Sequence, residues 1–441
     1  MKKIISLIIF VVLVLALSVT AFAEKTDEKE YDPLYAKIIA SGHCGAENNG
    51  YNIRWFINEY GDLVLSGPGK MVDYDYLGFS ASTSPWADYN YFVKTLTIHV
   101  GMTNIGDYAF FRLENLRGKL EIPDGIVTIG DHAFDGCSGF TGNLVIPKSV
   151  KYIRQFAFEN CSGFTGDVII PGSVILIEKG AFGGTSNVNN LFVFEDNNSY
   201  CSKNGILYTK NKKEIVACPG GKSGFLEIPE NVTTIGEYAF SGCDKFTGDL
   251  IIPNSVTVIE DGAFDNCDGF SGNLILSENV TTIGNFAFNF CEKLTGKLVF
   301  PSTVKTIGNG AFSFCGIDEY YFKGDAPSVY DALDYRRSFD KDVTIYYPEN
   351  NATWIIENGK WNGYTAKPWK ADIVYGDVDG NEKINVLDAN LIRRYTAKLE
   401  ELDDIQLKGA DVDSNGKVNV LDANLIRRYS AKLIDKFPAE G

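Results

Sequence analysis

The dipeptide Ala-Phe recurs with its phenylalanine at positions 110, 134, 158, 182, 240, 264, 288 and 312, and six of the seven intervals are 24 residues. Ile-Pro or Phe-Pro pairs ending at Pro123, Pro147, Pro171, Pro229, Pro253 and Pro301 keep the same step. Whole units therefore repeat. Residues 143 to 166 read NLVIPKSVKYIRQFAFENCSGFTG, and a later unit reads GDLIIPNSVTVIEDGAFDNCDGFSG. Each unit offers two short apolar stretches of strand character, Leu-x-Ile-Pro and Val-x-x-Ile, followed by Ala-Phe and a Gly-rich turn. One unit is too short to bury that apolar set alone. Stacked units bury it, with Leu144, Ile146, Val150, Ile153, Phe158 and Phe164 lying above their counterparts one unit away. A β-rich solenoid over residues 95–316 is the consequence. Proline ends the first strand of each coil because it has no N–H to donate, and glycines at 142, 166, 248, 272 and 296 permit a close or left-handed turn.

The period breaks once, between Phe182 and Phe240. There, Tyr200 to Pro219 alternates apolar and polar residues about an Asn-Lys-Lys turn, which predicts a hairpin near 197–222 inserted into or replacing a coil and dividing the solenoid into two halves. Solenoids need capped ends. Residues 44–94, with Trp55, Trp86 and a strand pair at 54–56 and 63–65, fit an N-terminal cap behind a linker at 24–43. Residues 317–371 lose the 24-residue step but keep Tyr320, Tyr346, Trp354, Trp361 and Trp369, and read as a C-terminal cap with a linker near Lys367–Asp372. Tyr74, Tyr76, Tyr89 and Tyr91 suit cap packing, with sugar stacking as the competing reading.

The units, written I-P-x-x-V-x-x-I-G-x-x-A-F-x-x-C, resemble the bacterial surface-antigen (BspA-like) type of leucine-rich repeat over roughly residues 43–370. The resemblance implies a right-handed arc, usually outside the cell, that binds rather than catalyses. Cys137, Cys161, Cys243, Cys267, Cys291 and Cys315 each fall three residues after an Ala-Phe phenylalanine, so they read as a ladder belonging to the repeat. Disulfides between adjacent coils are the alternative, favoured by secretion, whereas the resemblance implies buried thiols. Cys201 and Cys218 flank the hairpin, where pairing across it is a further alternative.

Composition narrows the function. With 57 acidic and 41 basic residues the net charge is -16, which argues against nucleic-acid binding and against an anionic membrane surface. Three histidines leave little material for His-based catalysis or a multi-histidine metal site. His43 beside Cys44 is a poor thiol–base pair, because sequence neighbours rarely aim their side chains at each other. Lys2 and Lys3, the apolar run 4–19 and Ala21-Phe22-Ala23 fit a signal peptide over 1–23, so the mature chain is expected to be secreted and extracellular without inserting in a membrane.

A second repeat lies in the last 70 residues. DVDGNEKINVLD at 377–388 and DVDSNGKVNVLD at 411–422 are each followed by ANLIRRY. Oxygen donors at positions 1, 3, 5, 7 and 12 of a twelve-residue loop suit calcium. The predicted ligands of the first ion are Asp377, Asp379, Asn381, the Lys383 carbonyl and Asp388. Those of the second are Asp411, Asp413, Asn415, the Lys417 carbonyl and Asp422. A conventional EF-hand has Glu at position 12 and a helix entering the loop, and the sequence reads as having neither. The pair over residues 372–437 resembles instead a type I dockerin, a small all-α module whose partner is the cohesin of a scaffoldin in a cellulosome. The resemblance places cohesin contacts at Val386, Leu387, Arg393, Arg394 and Lys398, and in the second copy at Val420, Leu421, Arg427, Arg428 and Lys432. Val-Leu where many members have Ser or Thr points to a more apolar cohesin surface, and near identity of the copies implies two equivalent binding modes.

Glu382 stands at position 6 of the first loop where Gly416 stands in the second. That position suits glycine, and a non-glycine residue there costs roughly 1 kcal/mol. The first loop is therefore expected to bind calcium more weakly, and two equal affinities by calorimetry would contradict this. No segment of catalytic-domain size remains once these parts are assigned. The expected function is a non-catalytic cellulosome component whose solenoid binds a protein or glycan partner during polysaccharide degradation. The alternatives are an adhesin to plant cell wall or cells and an unrecognised glycoside hydrolase.

Overall fold

The computed structural model describes residues 36–78, 81–329, 337–340, 342–369, 375–379, 384–402 and 404–440. The signal peptide at 1–23 and the centre of the C-terminal linker lie outside the described residues.

The 24-residue period becomes a parallel ladder. The Val-x-x-Ile stretches form two-residue strands, and Thr234–Ile235, Val258–Ile259, Thr282–Ile283 and Thr306–Ile307 pair in register, each residue with its equivalent in the next coil. The Leu-x-Ile stretches do the same on another side, as in Leu250–Ile251 against Leu274–Ile275. Leu144, Ile146, Val150, Ile153, Phe158 and Phe164 are all buried. Repetition of one residue at one place stacks like on like. The Ala-Phe rings of residues 110, 134, 158 and 182 form one column with centroids 5.2, 5.5 and 5.8 Å apart. Those of 240, 264, 288 and 312 form a second, spaced at 4.9, 5.4 and 5.2 Å. Of the five turn glycines, Gly142, Gly166, Gly248 and Gly296 adopt positive φ. Gly272 instead accommodates a close approach, because a Cβ there would meet the Asp249 carboxylate at 2.1 Å.

The core divides into two clusters at the hairpin. Ile206–Thr209 and Glu214–Ala217 are antiparallel about the expected turn. A third strand, Tyr200–Lys203, pairs with Ile206–Thr209, joined by Asn204 and Gly205 at φ 53 and 74. Glu214–Ala217 runs parallel to Thr234–Ile235, so the insertion supplies the strand of a coil.

The N-terminal cap begins earlier than the sequence reading places it. Ile38–His43, within the segment read as linker, pairs with Arg54–Asn58, which pairs with Asp62–Ser66. Trp86 is fully buried, donates its indole N–H to the Ala109 carbonyl at 2.6 Å, and stacks 5.6 Å from Phe110. It therefore closes the first phenylalanine column. Tyr74 is buried edge-on to Trp86, Tyr76 contacts Tyr108 and Phe111, and Tyr91 is exposed. His43 packs against Tyr51 with ring centroids 4.4 Å apart and planes tilted by 58°, and the buried Cys44 thiol is pushed up to about 12 by desolvation, a protonated group.

Beyond residue 316 the described residues continue the solenoid with irregular coils. Lys297–Phe300, Glu319–Phe322, Thr344–Pro348 and Tyr364–Trp369 are successive parallel strands, closed by the short antiparallel Lys360–Trp361. Phe339 extends the second column, 5.5 Å from Phe312 with planes 4° apart.

All nine cysteines are free, Cys201 and Cys218 included. The ladder thiols have a physical role: Cys137, Cys161, Cys267 and Cys291 donate at 2.9–3.2 Å to the carbonyls of Phe110, Phe134, Phe240 and Phe264, one coil back. Cysteine is small enough for the turn and still offers a weak donor to a buried carbonyl. Thiol titration of the denatured, unreduced protein is expected to count nine; a count of five or fewer, more than a Cys201–Cys218 pair alone removes, would replace this ladder with disulfides.

Candidate calcium-binding and docking module

Each acidic loop ends in a helix whose start is built into the loop. Helix α1 spans Val386–Thr396, α2 Asp404–Ala410 and α3 Val420–Ser430. Asn385 and Asn419 cap α1 and α3, accepting from the Leu387 and Leu421 amides at 2.8 Å. Asp388 and Asp422 return the bond, accepting from the Asn385 and Asn419 amides at 2.8 and 2.9 Å. These are capping boxes. Loop position 12 and the third helical residue are thus the same carboxylate, so filling the loop and starting the helix are one event. The pattern Asn-x-x-Asp in both copies is the sequence signal for this role, which the loop reading passes over.

Carboxylate oxygens of Asp377, Asp379 and Asp388 lie within 4.8 Å of one another, and so do those of Asp411, Asp413 and Asp422. Asp388 is fully buried and also accepts from the Val378 and Asp379 amides at 2.8 and 3.2 Å. Burial raises the Asp388 and Asp422 carboxyls above the usual carboxylate range, partly opposed by these amides. In the second loop the Asp411 carboxylate accepts from the Asn415 and Gly416 amides at 3.0 and 2.8 Å, with Gly416 at φ 77. The Asn415 side chain accepts from the Lys417 amide at 2.9 Å, and the Lys417 carbonyl accepts from the Asn419 side chain at 3.1 Å. Asp422 Oδ1 is buried with no hydrogen-bond partner among the described residues. Three carboxylates around one point, one of them with an orphaned buried oxygen, suit a hard divalent cation. Asn381 and Lys383, with Glu382, lie outside the described residues.

One expectation changes. Helix α2 runs directly into Asp411, so the second loop has an entering helix after all. Its seven residues, with Gly409 near its end, carry too short an apolar pattern to stand out in the sequence.

The two copies pack through equivalent residues. Ala389, Ile392, Ala423 and Ile426 are buried together with Val378, Leu402, Ala410, Val412 and Phe437. Phe437 stacks on Tyr429 at 4.7 Å, and the Ala439 amide donates to the Val412 carbonyl, so the fold runs just past residue 437. Both helices end alike. Lys398 and Lys432 hold φ 56 and 55, with the Leu399 and Leu433 amides donating back to the Arg394 and Arg428 carbonyls, a Schellman closure.

The residues expected at the cohesin contact are displayed in matching fashion. Val386 and Val420 are 46% and 50% exposed, and Leu387 and Leu421 both 59%. Arg394, Lys398, Arg427, Arg428 and Lys432 are exposed. Arg394 pairs with Glu400 at 2.8 Å, while Arg393 is half-buried and donates to Asn424 at 3.3 Å. The core positions of the helices are thus the isoleucines and alanines, and the Val-Leu pairs with Arg394, Arg427 and Arg428 are left at the surface, Arg393 alone being half-buried against the other copy. Among the described residues no helix is long and apolar enough to cross a membrane.

Comparison with known proteins matches both parts. The BspA type leucine rich repeat region matches in six copies over residues 87–211 and 222–333, and the dockerin type I domain matches residues 375–429. No curated protein matches the chain. Among solved structures, a leucine-rich repeat protein from Eubacterium ventriosum is 21% identical over 77% of this chain and 99% of its own, with a TM-score of 0.44. The pneumococcal vaccine antigen PcpA is 18% identical over 73% of this chain and 98% of its own, at 0.48. A leucine rich cell surface protein from Faecalibacterium prausnitzii is 20% identical over 62% and 94%, at 0.33. Both matched domains are of non-catalytic kinds. With a repeat model covering more than half its length, the chain belongs to the BspA-type leucine-rich repeat family, and it carries a C-terminal type I dockerin.

Proposed function

We propose that this protein is a secreted, non-catalytic component of a cellulosome. Its dockerin, with one calcium ion in each loop, docks on a scaffoldin cohesin, and its solenoid holds a protein or glycan partner near the complex during polysaccharide degradation. The ions neutralise two sets of three clustered carboxylates. Asp377, Asp379, Asn381, the Lys383 carbonyl and Asp388 hold the first, and Asp411, Asp413, Asn415, the Lys417 carbonyl and Asp422 the second. The observation that carries this reading is the duplication itself: Val386, Leu387, Arg394 and Lys398 are exposed on one helix as Val420, Leu421, Arg428 and Lys432 are on the other. Packing does not require these residues at the surface in both copies, whereas recognition of one partner face in either of two orientations does.

The test changes one copy at a time. The full mature chain carrying Arg393→Ala and Arg394→Ala is expected to bind its cohesin within about threefold of the parent, as is the chain carrying Arg427→Ala and Arg428→Ala. The four substitutions together are expected to weaken binding at least 100-fold, the scale of losing central charged anchors. Abolition by either pair alone would contradict two equivalent modes.

A further inference from the structure

The turn bearing Ala-Phe places the residue two before the phenylalanine in the left-handed region. Tyr108, His132, Phe156, Tyr238 and Phe286 hold φ between 51 and 56 there, which costs a non-glycine residue about 1–2 kcal/mol. The side chains of Tyr108, His132 and Phe156 stack on one another, and Tyr238 meets Phe156 edge-on. The His132 ring lies between Tyr108 and Phe156, with both centroid distances 4.8 Å and planes 13° and 28° apart. This stack sets the plane of the imidazole, and His132 Nδ1 meets Asp135 Oδ2 at 2.8 Å. Glu159 occupies the Asp135 position one coil on, and ligand atoms of His132, Asp135 and Glu159 all lie within 4.8 Å of one another. The Asp135 side chain is 9% exposed and that of His132 19%. No hydrogen bond from a described residue reaches the Glu159 carboxyl, which is desolvated and faces Asp135 and Asp265, with Arg112 as the opposing charge.

We propose that His132, Asp135 and Glu159 form a binding site for a divalent transition-metal ion of the zinc type on the turn face of the first repeat block. One imidazole and two carboxylates are a donor set that zinc accepts, with a fourth position left for water. Calcium prefers oxygen donors alone, so this site differs in kind from the two C-terminal loops. Ligand atoms around tetrahedral zinc lie roughly 3.3 Å apart, so the His132–Asp135 pair opens slightly on binding. The aromatic sandwich limits the rotamer entropy lost by the histidine.

The test uses the full mature chain in saturating calcium, so that the C-terminal loops are filled before zinc is added. One zinc ion per chain is expected by calorimetry, with a zinc-dependent rise in Tm of the solenoid. Cobalt in place of zinc is expected to give weak visible bands without a thiolate charge-transfer band, which excludes the cysteines as ligands. His132→Phe keeps the stack, since phenylalanine already occupies this turn position at 156 and 286, and it should weaken zinc at least tenfold. Glu159→Gln should do the same, because it removes one of the two carboxylate donors. Absence of zinc uptake by the parent chain, or parental affinity in both variants, overturns the site.

Discussion

In excess chelator the C-terminal module is expected to lose its helical circular dichroism while the solenoid keeps its own cooperative unfolding transition. The module buries a cluster of only nine apolar residues among those described, and domains of this size rarely fold on such a core without a metal or a disulfide. Its cysteines number none, since the last cysteine is Cys315. The loops also oppose folding when empty: each gathers three carboxylates within 4.8 Å, and Asp422 Oδ1 has no donor among the described residues. Asp388 and Asp422 link loop to helix through the capping boxes, so losing the ion loses the helix start too. Asp388→Ala with Asp422→Ala should reproduce the effect in saturating calcium. Full helicity in chelator would show that apolar packing alone holds the module.

Phe264→Ala is expected to destabilise the second repeat block by about 3–5 kcal/mol, the range for removing a fully buried aromatic ring. Phe264 is completely buried, with Phe240 at 4.9 Å on one side and Phe288 at 5.4 Å on the other, both ring planes nearly parallel to its own. In a solenoid the neighbouring coil is the only partner, so a hole in the column weakens two interfaces at once. Phe264→Leu, which keeps most of the volume, should cost less than about half as much. Equal losses for the two substitutions in denaturant unfolding would mean that the site collapses around the missing ring and that the column is not continuous.

The regular coils were legible because each apolar position recurs every 24 residues, and Phe110, Phe134 and Phe158 announce one another. Legibility failed where spacing changed while packing did not. Phe339 sits in the same ring column as Phe312, yet it stands 27 residues further on and follows Ser338, so neither the step nor the Ala-Phe pair marks it. Asn204-Gly205 is the stronger of the two hairpin signals, and an alternation centred on the Asn-Lys-Lys turn alone passes over it. The loop position of Asp388 marks it only as a proposed ligand; its role as a capping residue shows in the Asn-x-x-Asp spacing, which the calcium-loop pattern masks. The grouping of His132 with Glu159 lies beyond any motif: the two residues are brought together by the stacking of separate coils.

The most direct test of the account is binding of the full mature chain to a panel of cohesins, measured once with calcium and once with chelator. Calcium-dependent binding to at least one cohesin, lost in chelator while the solenoid stays folded, is the predicted result. No binding to any cohesin with both loops shown to be loaded would contradict it, leaving the paired loops to stabilise the module or to serve a different receptor.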